Sequence, residues 1–116
     1  MWRATITATA MMAQLALSAG GAPAAAEEAI EVRISIREHR FVPAEIAVPA
    51  GRELKLIVQN EDTTPEEFES VGLKVERVIP PGGRAEFKLR PLLPNRNYSF
   101  FGEFHPDSAN GRLIVR

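Results

Sequence analysis

Hydrophobic and polar residues alternate along several short stretches of the chain. In residues 30–36, four isoleucine or valine residues are separated by Glu31, Arg33 and Ser35. Residues 54–60 and 85–89 repeat the pattern, and two further stretches begin at Tyr98 and Gly111. Because side chains of a β-strand point alternately to its two faces, the pattern predicts strands with one buried and one exposed face.

Turn-forming residues separate these stretches. Residues 41–51 contain Pro43 and Pro49, which forbid a helix and limit strand pairing. Residues 80–83 read Pro-Pro-Gly-Gly and predict a tight turn, while residues 73–79 before them predict a short irregular segment. Many short strands between turns, with no helical pattern and no repeat, predict an all-β sandwich.

The first 26 residues differ from the rest of the chain. Arg3 supplies a positive start, an apolar run rich in Ala, Met and Leu follows, and residues 22–26 offer small side chains for cleavage. This layout predicts a signal peptide over residues 1–26, a single domain over residues 27–116 and export to the periplasm. A membrane anchor is the weaker alternative, since the apolar run is short for a span of about 20 residues.

Composition restricts the chemistry. The formal net charge is −1, so the chain has no basic excess with which to bind nucleic acid. It contains no cysteine and two histidines. A blue-copper site requires a cysteine thiolate together with two histidines. Blue-copper electron transfer is therefore excluded.

Two parts of the chain resemble the cupredoxins. Residues 41–60 read F-x-P-x-x-I-x-V-x-x-G-x-x-L-x-L-x-x-x-N, a familiar opening of that family. Near the C-terminus, cupredoxins carry Y-x-F-x-C-x-x-H, then a methionine, then G-x-L-x-V. The matching residues here are Tyr98, Phe100, His105, Gly111, Leu113 and Val115. Gly102 replaces the cysteine, and the methionine position falls near Ala109. The resemblance implies a Greek-key β-sandwich or barrel of cupredoxin type without its soft copper ligands.

The first histidine ligand of cupredoxins commonly stands in the sequence P-H-x-F, and the corresponding residues 65–68 here read P-E-E-F. Alternation along a strand places Glu66 on the same face as Phe68, and Glu67 and Glu69 on the other face. If Phe68 enters the core, Glu66 points inward at the rim of the sandwich, toward His105.

A carboxylate in that position requires a partner. Burial of an unpaired charge is costly, so the sequence predicts that a metal ion, or an ion pair with Arg40 or Arg112, lies beside Glu66. Oxygen donors with one imidazole suit iron or manganese better than cuprous copper.

The motifs P-x-E-F-E-S and F-F-x-E/D-F-H-x-D, at residues 65–70 and 100–107, are similar to those of cupredoxin-like periplasmic proteins that accompany bacterial high-affinity iron permeases. The resemblance implies ferrous iron uptake: the protein binds iron and passes it to a membrane permease, with a second periplasmic iron-binding protein as a further partner. It leaves open a ferroxidase activity assisted by copper. The candidate metal ligands are Glu66, Glu103 and His105, joined by Glu67, Glu69, Asp107 and His39.

Two alternatives stay open at this point. One is a metal-free β-sandwich that docks on a partner, with the glutamates as an electrostatic patch for a basic surface. The other is a copper carrier that uses His39 and His105 together with carboxylates.

Overall fold

The computed structural model describes residues 28–116, which form nine β-strands. No helix in this range is long and apolar enough to cross a membrane. The strands are β1 (Ile30–Arg37), β2 (Arg40–Val42), β3 (Glu45–Val48), β4 (Leu54–Asn60), β5 (Glu66–Ser70), β6 (Val75–Ile79), β7 (Arg84–Leu89), β8 (Asn97–Gly102) and β9 (Asn110–Val115). The predicted all-β class is confirmed. The predicted signal peptide, residues 1–26, lies outside the described residues.

The strands form two sheets. One has four strands in the order β2-β1-β4-β7, and the other has five in the order β3-β9-β8-β5-β6. The pairs β1–β4 and β3–β9 are parallel, and the remaining pairs are antiparallel. The chain passes from one sheet to the other at five of the connections between successive strands, whereas β1–β2, β5–β6 and β8–β9 pair within one sheet, as in a Greek-key sandwich.

The core between the sheets consists of the alternating apolar residues that the sequence predicts. β1 contributes Val32, Ile34 and Ile36 to this core. The neighbouring strands β4 and β7 of the same sheet contribute the apolar residues that face inward beside them. Four phenylalanine rings fill the centre, with centroids 5.1–5.6 Å apart: Phe41, Phe68, Phe87 and Phe100. Edge-to-face and offset ring contacts of this kind add to the stabilisation gained from burial.

The segment predicted to be irregular, residues 73–79, contains strand β6. Ile79 is buried and Val75 is half-buried, whereas Val78 is exposed on the outer face of the sheet. This exposed valine breaks the alternation of apolar and polar residues by which a strand is recognised in the sequence. The segment forms a strand nevertheless, because it pairs with β5.

Three loops meet at one end of the sandwich, and we refer to residues 38–39, 61–65 and 103–109 as the loop end. The Asp62 carboxylate accepts hydrogen bonds from the backbone amides of Glu38 and His39, both of which have positive φ. Ser108 donates a hydrogen bond to the carbonyl oxygen of His39. Asn60, fully buried, donates to two carbonyl oxygens and accepts from the Asp62 amide. These bonds fix the loops to one another.

Candidate metal centre

Strand β5 directs its glutamates to opposite sides of the sheet. Glu66, Phe68 and Ser70 are buried, while Glu67 and Glu69 are half-buried on the outer face. This is the orientation that the alternation predicts. It divides the candidate ligands into an inner group at the loop end and an outer group.

Glu66 is the central residue of the inner group, with an exposed fraction of 1%. Its Oε2 atom lies 2.5 Å from Nδ1 of His105, whose N–H donates to the carboxylate. Its Oε1 atom accepts from the backbone amides of Glu67 and Phe104, each at 3.0 Å. The partner predicted from sequence was a metal ion or Arg40 or Arg112. In the structure an imidazole and two amides contact the carboxylate, and Arg112 forms its ion pair with Glu45.

His39 completes the inner group. Its ring stacks on that of His105 with centroids 3.6 Å apart and an interplanar angle of 9°. Its Nε2 atom lies 3.2 Å from the Thr64 hydroxyl. The lone pair of an imidazole nitrogen lies in the ring plane, and two nearly parallel planes do not converge on a common ion. The stack therefore does not form a two-histidine chelate.

The outer group consists of four glutamates, which we call the acidic face: Glu67, Glu69, Glu76 and Glu103. One carboxylate oxygen of each lies within 4.8 Å of the others. Sheet register assembles them, since Glu69 of β5 is opposite Glu76 of β6 and the amide of Glu103 donates to the carbonyl oxygen of Glu67.

The structure thus distributes the predicted ligands over two groups. Glu67, Glu69 and Glu103 share the acidic face, whereas Glu66, His105 and His39 lie in the inner group. Glu66 and Glu103 do not share one site, because Glu66 faces the core and Glu103 is exposed on the outer side of the β8–β9 loop. Asp107 is exposed in the same loop and belongs to neither group.

Glu76 is the member of the acidic face that the sequence reasoning missed. It lies in the segment that was predicted to be irregular, so no face could be assigned to it. Glu76 is opposite Glu69 in the pairing of β5 with β6. It could be found from the sequence only if β6 were first recognised as a strand.

Crowding of like charges changes the proton affinity of the acidic face. A hydrogen bond with Glu76, partial burial and the neighbouring charge of Glu103 raise the pKa of Glu67 to about 7. Partial burial, followed by the charges of Glu76 and Glu103, also raises the pKa of Glu69. At neutral pH the acidic face therefore shares protons that isolated glutamates would have released.

The sequence profile of the cupredoxin-like domain family matches residues 5–115. The chain belongs to the cupredoxin-like domain family. An uncharacterised protein of Rickettsia prowazekii (strain Madrid E), RP394, is 43% identical to this cupredoxin-like protein over 86 residues, which are 74% of the chain and 68% of the relative.

Solved structures show the same fold. Auracyanin A, a "blue" copper protein from Chloroflexus aurantiacus, superposes with a TM-score of 0.65 at 12% identity, over 77% of this chain and all of that one. The metal-binding domain of the Cu(I)-exporting ATPase CopA of Streptococcus pneumoniae D39, with Cu(I), superposes with a TM-score of 0.65 at 14% identity. The match covers 74% of this chain and 84% of that one. The purple cupredoxin of Nitrosopumilus maritimus superposes with a TM-score of 0.55 at 20% identity, over 73% of this chain and 99% of that one. The predicted cupredoxin-type sandwich is confirmed.

The residues at the fold's copper position do not suit copper. The cupredoxin motifs place Glu66, Gly102, His105 and Ala109 at the four ligand positions. Only His105 offers a nitrogen donor there, and its Nδ1 atom is already bonded to Glu66. None of these four residues supplies a thiolate or a thioether for a soft copper ion.

Proposed function

We propose that this cupredoxin-like protein is an iron-binding component of a bacterial ferrous iron uptake system. It holds iron as cargo on the acidic face of Glu67, Glu69, Glu76 and Glu103 and passes the ion to a membrane permease. The observation that carries the proposal is the geometry of the four carboxylates.

The spacing of these carboxylates fits a single metal ion. Hard divalent cations lie about 2.0–2.6 Å from carboxylate oxygens, so two oxygens on opposite sides of one ion are separated by about 4–5 Å. The oxygens of the acidic face lie within 4.8 Å of one another. An ion at their centre reaches all four with little movement of the backbone.

Charge supports the same site. A hydrogen bond with Glu76, partial burial and the neighbouring carboxylate charges together raise the pKa of Glu67 to about 7. A bound cation replaces this repulsion with attraction and releases the shared protons. Because the donors are all oxygens, the site favours hard cations over cuprous copper. The resemblance to proteins that accompany iron permeases selects iron among them.

Export and partners complete the proposal. The signal-peptide pattern of residues 1–26 supports a periplasmic location. A protein that carries iron there needs an acceptor, and a membrane iron permease is the partner that the resemblance indicates, with a second periplasmic iron-binding protein as a further one. The exposed edge of the acidic face allows the ion to be transferred directly.

Anaerobic calorimetric titration of the purified protein with Fe(II) tests this function. We expect one ion to bind per chain, with an affinity that rises between pH 6 and pH 8, because Glu67 must lose a proton whose pKa is about 7. Mn(II) is expected to bind in the same way and serves as a control that does not oxidise in air.

Absence of heat at millimolar Fe(II) and Mn(II) would contradict the proposal. The alternative of a docking module with an electrostatic patch would then stand, and a basic protein surface would be the expected ligand of the acidic face.

A further inference from the structure

The loop end contains a second feature that the iron site does not use, the fully satisfied carboxylate of Glu66. We infer that this carboxylate occupies the place of the metal ion in copper-binding cupredoxins and replaces its structural role, so that the loop end assembles without metal and takes up no copper there. The inference is independent of the proposed iron site, since it concerns only the inner group.

Space is the first argument. A Cβ atom added to Gly102 would lie 2.5 Å from Cδ of Glu66 and 2.7 Å from Cβ of Ala109, both far inside normal contact distance. The φ angle of Gly102 is not positive, so the glycine is required for space and not for backbone conformation. A side chain at position 102 and the Glu66 carboxylate therefore exclude each other, and the cysteine of a copper site has no room.

Hydrogen bonding is the second argument. Three N–H groups already surround the carboxylate, namely the amides of Glu67 and Phe104 and the imidazole of His105. Both oxygens are thus in use, and the Glu66 side chain itself is 1% exposed. A metal ion would have to break these bonds and replace donors that stabilise the charge.

The carboxylate also connects the segments that a metal ion in this position would connect. Glu66 belongs to β5, whereas Phe104 and His105 belong to the loop between β8 and β9. The loop is tightened further because the amide of His105 donates to the carbonyl oxygen of Gly102, and that of Ala109 donates to the carbonyl oxygen of His105. Glu66 thereby fixes the loop and keeps the His105 ring in one orientation.

A double-mutant cycle in thermal unfolding tests the spatial argument. Glu66→Ala is expected to lower the Tm by at least about 10 °C, because it leaves a cavity and unpaired donors. Gly102→Ala is expected to lower it by about 5–15 °C through overpacking. In the Glu66→Ala background, Gly102→Ala should lower the Tm by clearly less, since the carboxylate is gone and only the close contact with Cβ of Ala109 remains.

Gly111→Ala is the matched control for this cycle. A Cβ atom there would meet the ring of Phe100 and the carbonyl oxygen of Ala44, neither of which belongs to the Glu66 site. Its effect on the Tm should be the same with and without Glu66→Ala. An equal penalty for Gly102→Ala in both backgrounds would overturn the inference.

Copper uptake tests the same claim, beginning with the unmodified protein. Protein dialysed against EDTA is expected to keep the amide NMR signals of Phe104 and Ala109 unchanged. Glu66→His combined with Gly102→Cys, which restores two histidines and a thiolate, is expected to bind Cu(II) with an intense visible thiolate-to-copper band. Gly102→Cys alone should show no such band. Loss of the loop signals in EDTA, or a band in the single variant, would overturn the inference.

Discussion

Glu67→Gln combined with Glu69→Gln is expected to lower the affinity for Fe(II) by about a hundredfold or more. The two substitutions remove two of the four carboxylates of the acidic face but leave the side chains equal in size. Loss of groups that merely orient metal ligands costs about 10–100-fold in affinity, and loss of two ligands themselves should cost at least as much. Anaerobic calorimetry of the variant and the unmodified protein measures the ratio.

Glu31→Gln combined with Glu53→Gln is the matched control. These exposed glutamates lie on β1 and directly before β4, in the other sheet, and their removal changes the formal net charge by the same amount. We expect their affinity for Fe(II) to stay within about twofold of the original, because exposed charges more than a Debye length of about 8–10 Å away are screened by salt. Equal losses in both double variants would indicate general electrostatic attraction and no specific site.

The same Glu67→Gln and Glu69→Gln substitutions should have the opposite effect on the stability of the metal-free protein. The pKa of Glu67 is raised from 4.5 to about 7, and that of Glu69 is also raised. Between about pH 4.5 and pH 7 the folded protein therefore binds more protons than the unfolded chain, and its stability falls as pH rises. The stability of the glutamine variant does not fall in this way, because glutamine binds no proton in this pH range. Its Tm relative to the unmodified protein should be higher at pH 8 than at pH 5.

Phe68→Ala is expected to reduce the free energy of unfolding by about 3–5 kcal/mol. Phe68 is fully buried, and its ring contacts those of Phe41, Phe87 and Phe100. A loss of that size is a large part of the roughly 5–15 kcal/mol that stabilises a domain. Urea denaturation measures it, with the change read from the midpoint at constant slope.

Phe104→Ala is the corresponding control. Phe104 is an aromatic residue of the β8–β9 loop with an exposed fraction of 46%. Its truncation should change the free energy of unfolding by no more than about 0.5 kcal/mol. A similar loss for both variants would mean that the four-ring cluster does not form the centre of the core.

Much of the fold could be predicted because local patterns and long-range packing agree. Alternation in β1 and β7 reflects one buried face, and the orientation of Glu66 opposite to Glu67 follows from the same rule. β6 escaped prediction because exposed Val78 breaks the pattern. Glu76 was missed for that reason, although it stands opposite Glu69.

Which glutamates join the inner group and which join the acidic face depends on the geometry of the loops. The alternation of residues along a strand does not determine that geometry. The sequence placed Glu66 near His105 correctly, yet it suggested arginines or a metal as the partner of the carboxylate. What decides the partner is the missing side chain of Gly102, which lets Glu66 reach the imidazole and the amide of Phe104. The turn after Gly102 sends Glu103 to the outer face, where it joins the glutamates of β5 and β6.

We propose that the hard-cation site lies on the outer face of the five-stranded sheet, away from the position of the metal ion in copper-binding cupredoxins. Anomalous diffraction at the iron edge, from crystals grown anaerobically with Fe(II), locates the ion most directly. We expect one peak about 2–2.6 Å from oxygens of Glu67, Glu69, Glu76 and Glu103. A peak beside His105 and Glu66 would contradict it, and so would the absence of any peak on the acidic face.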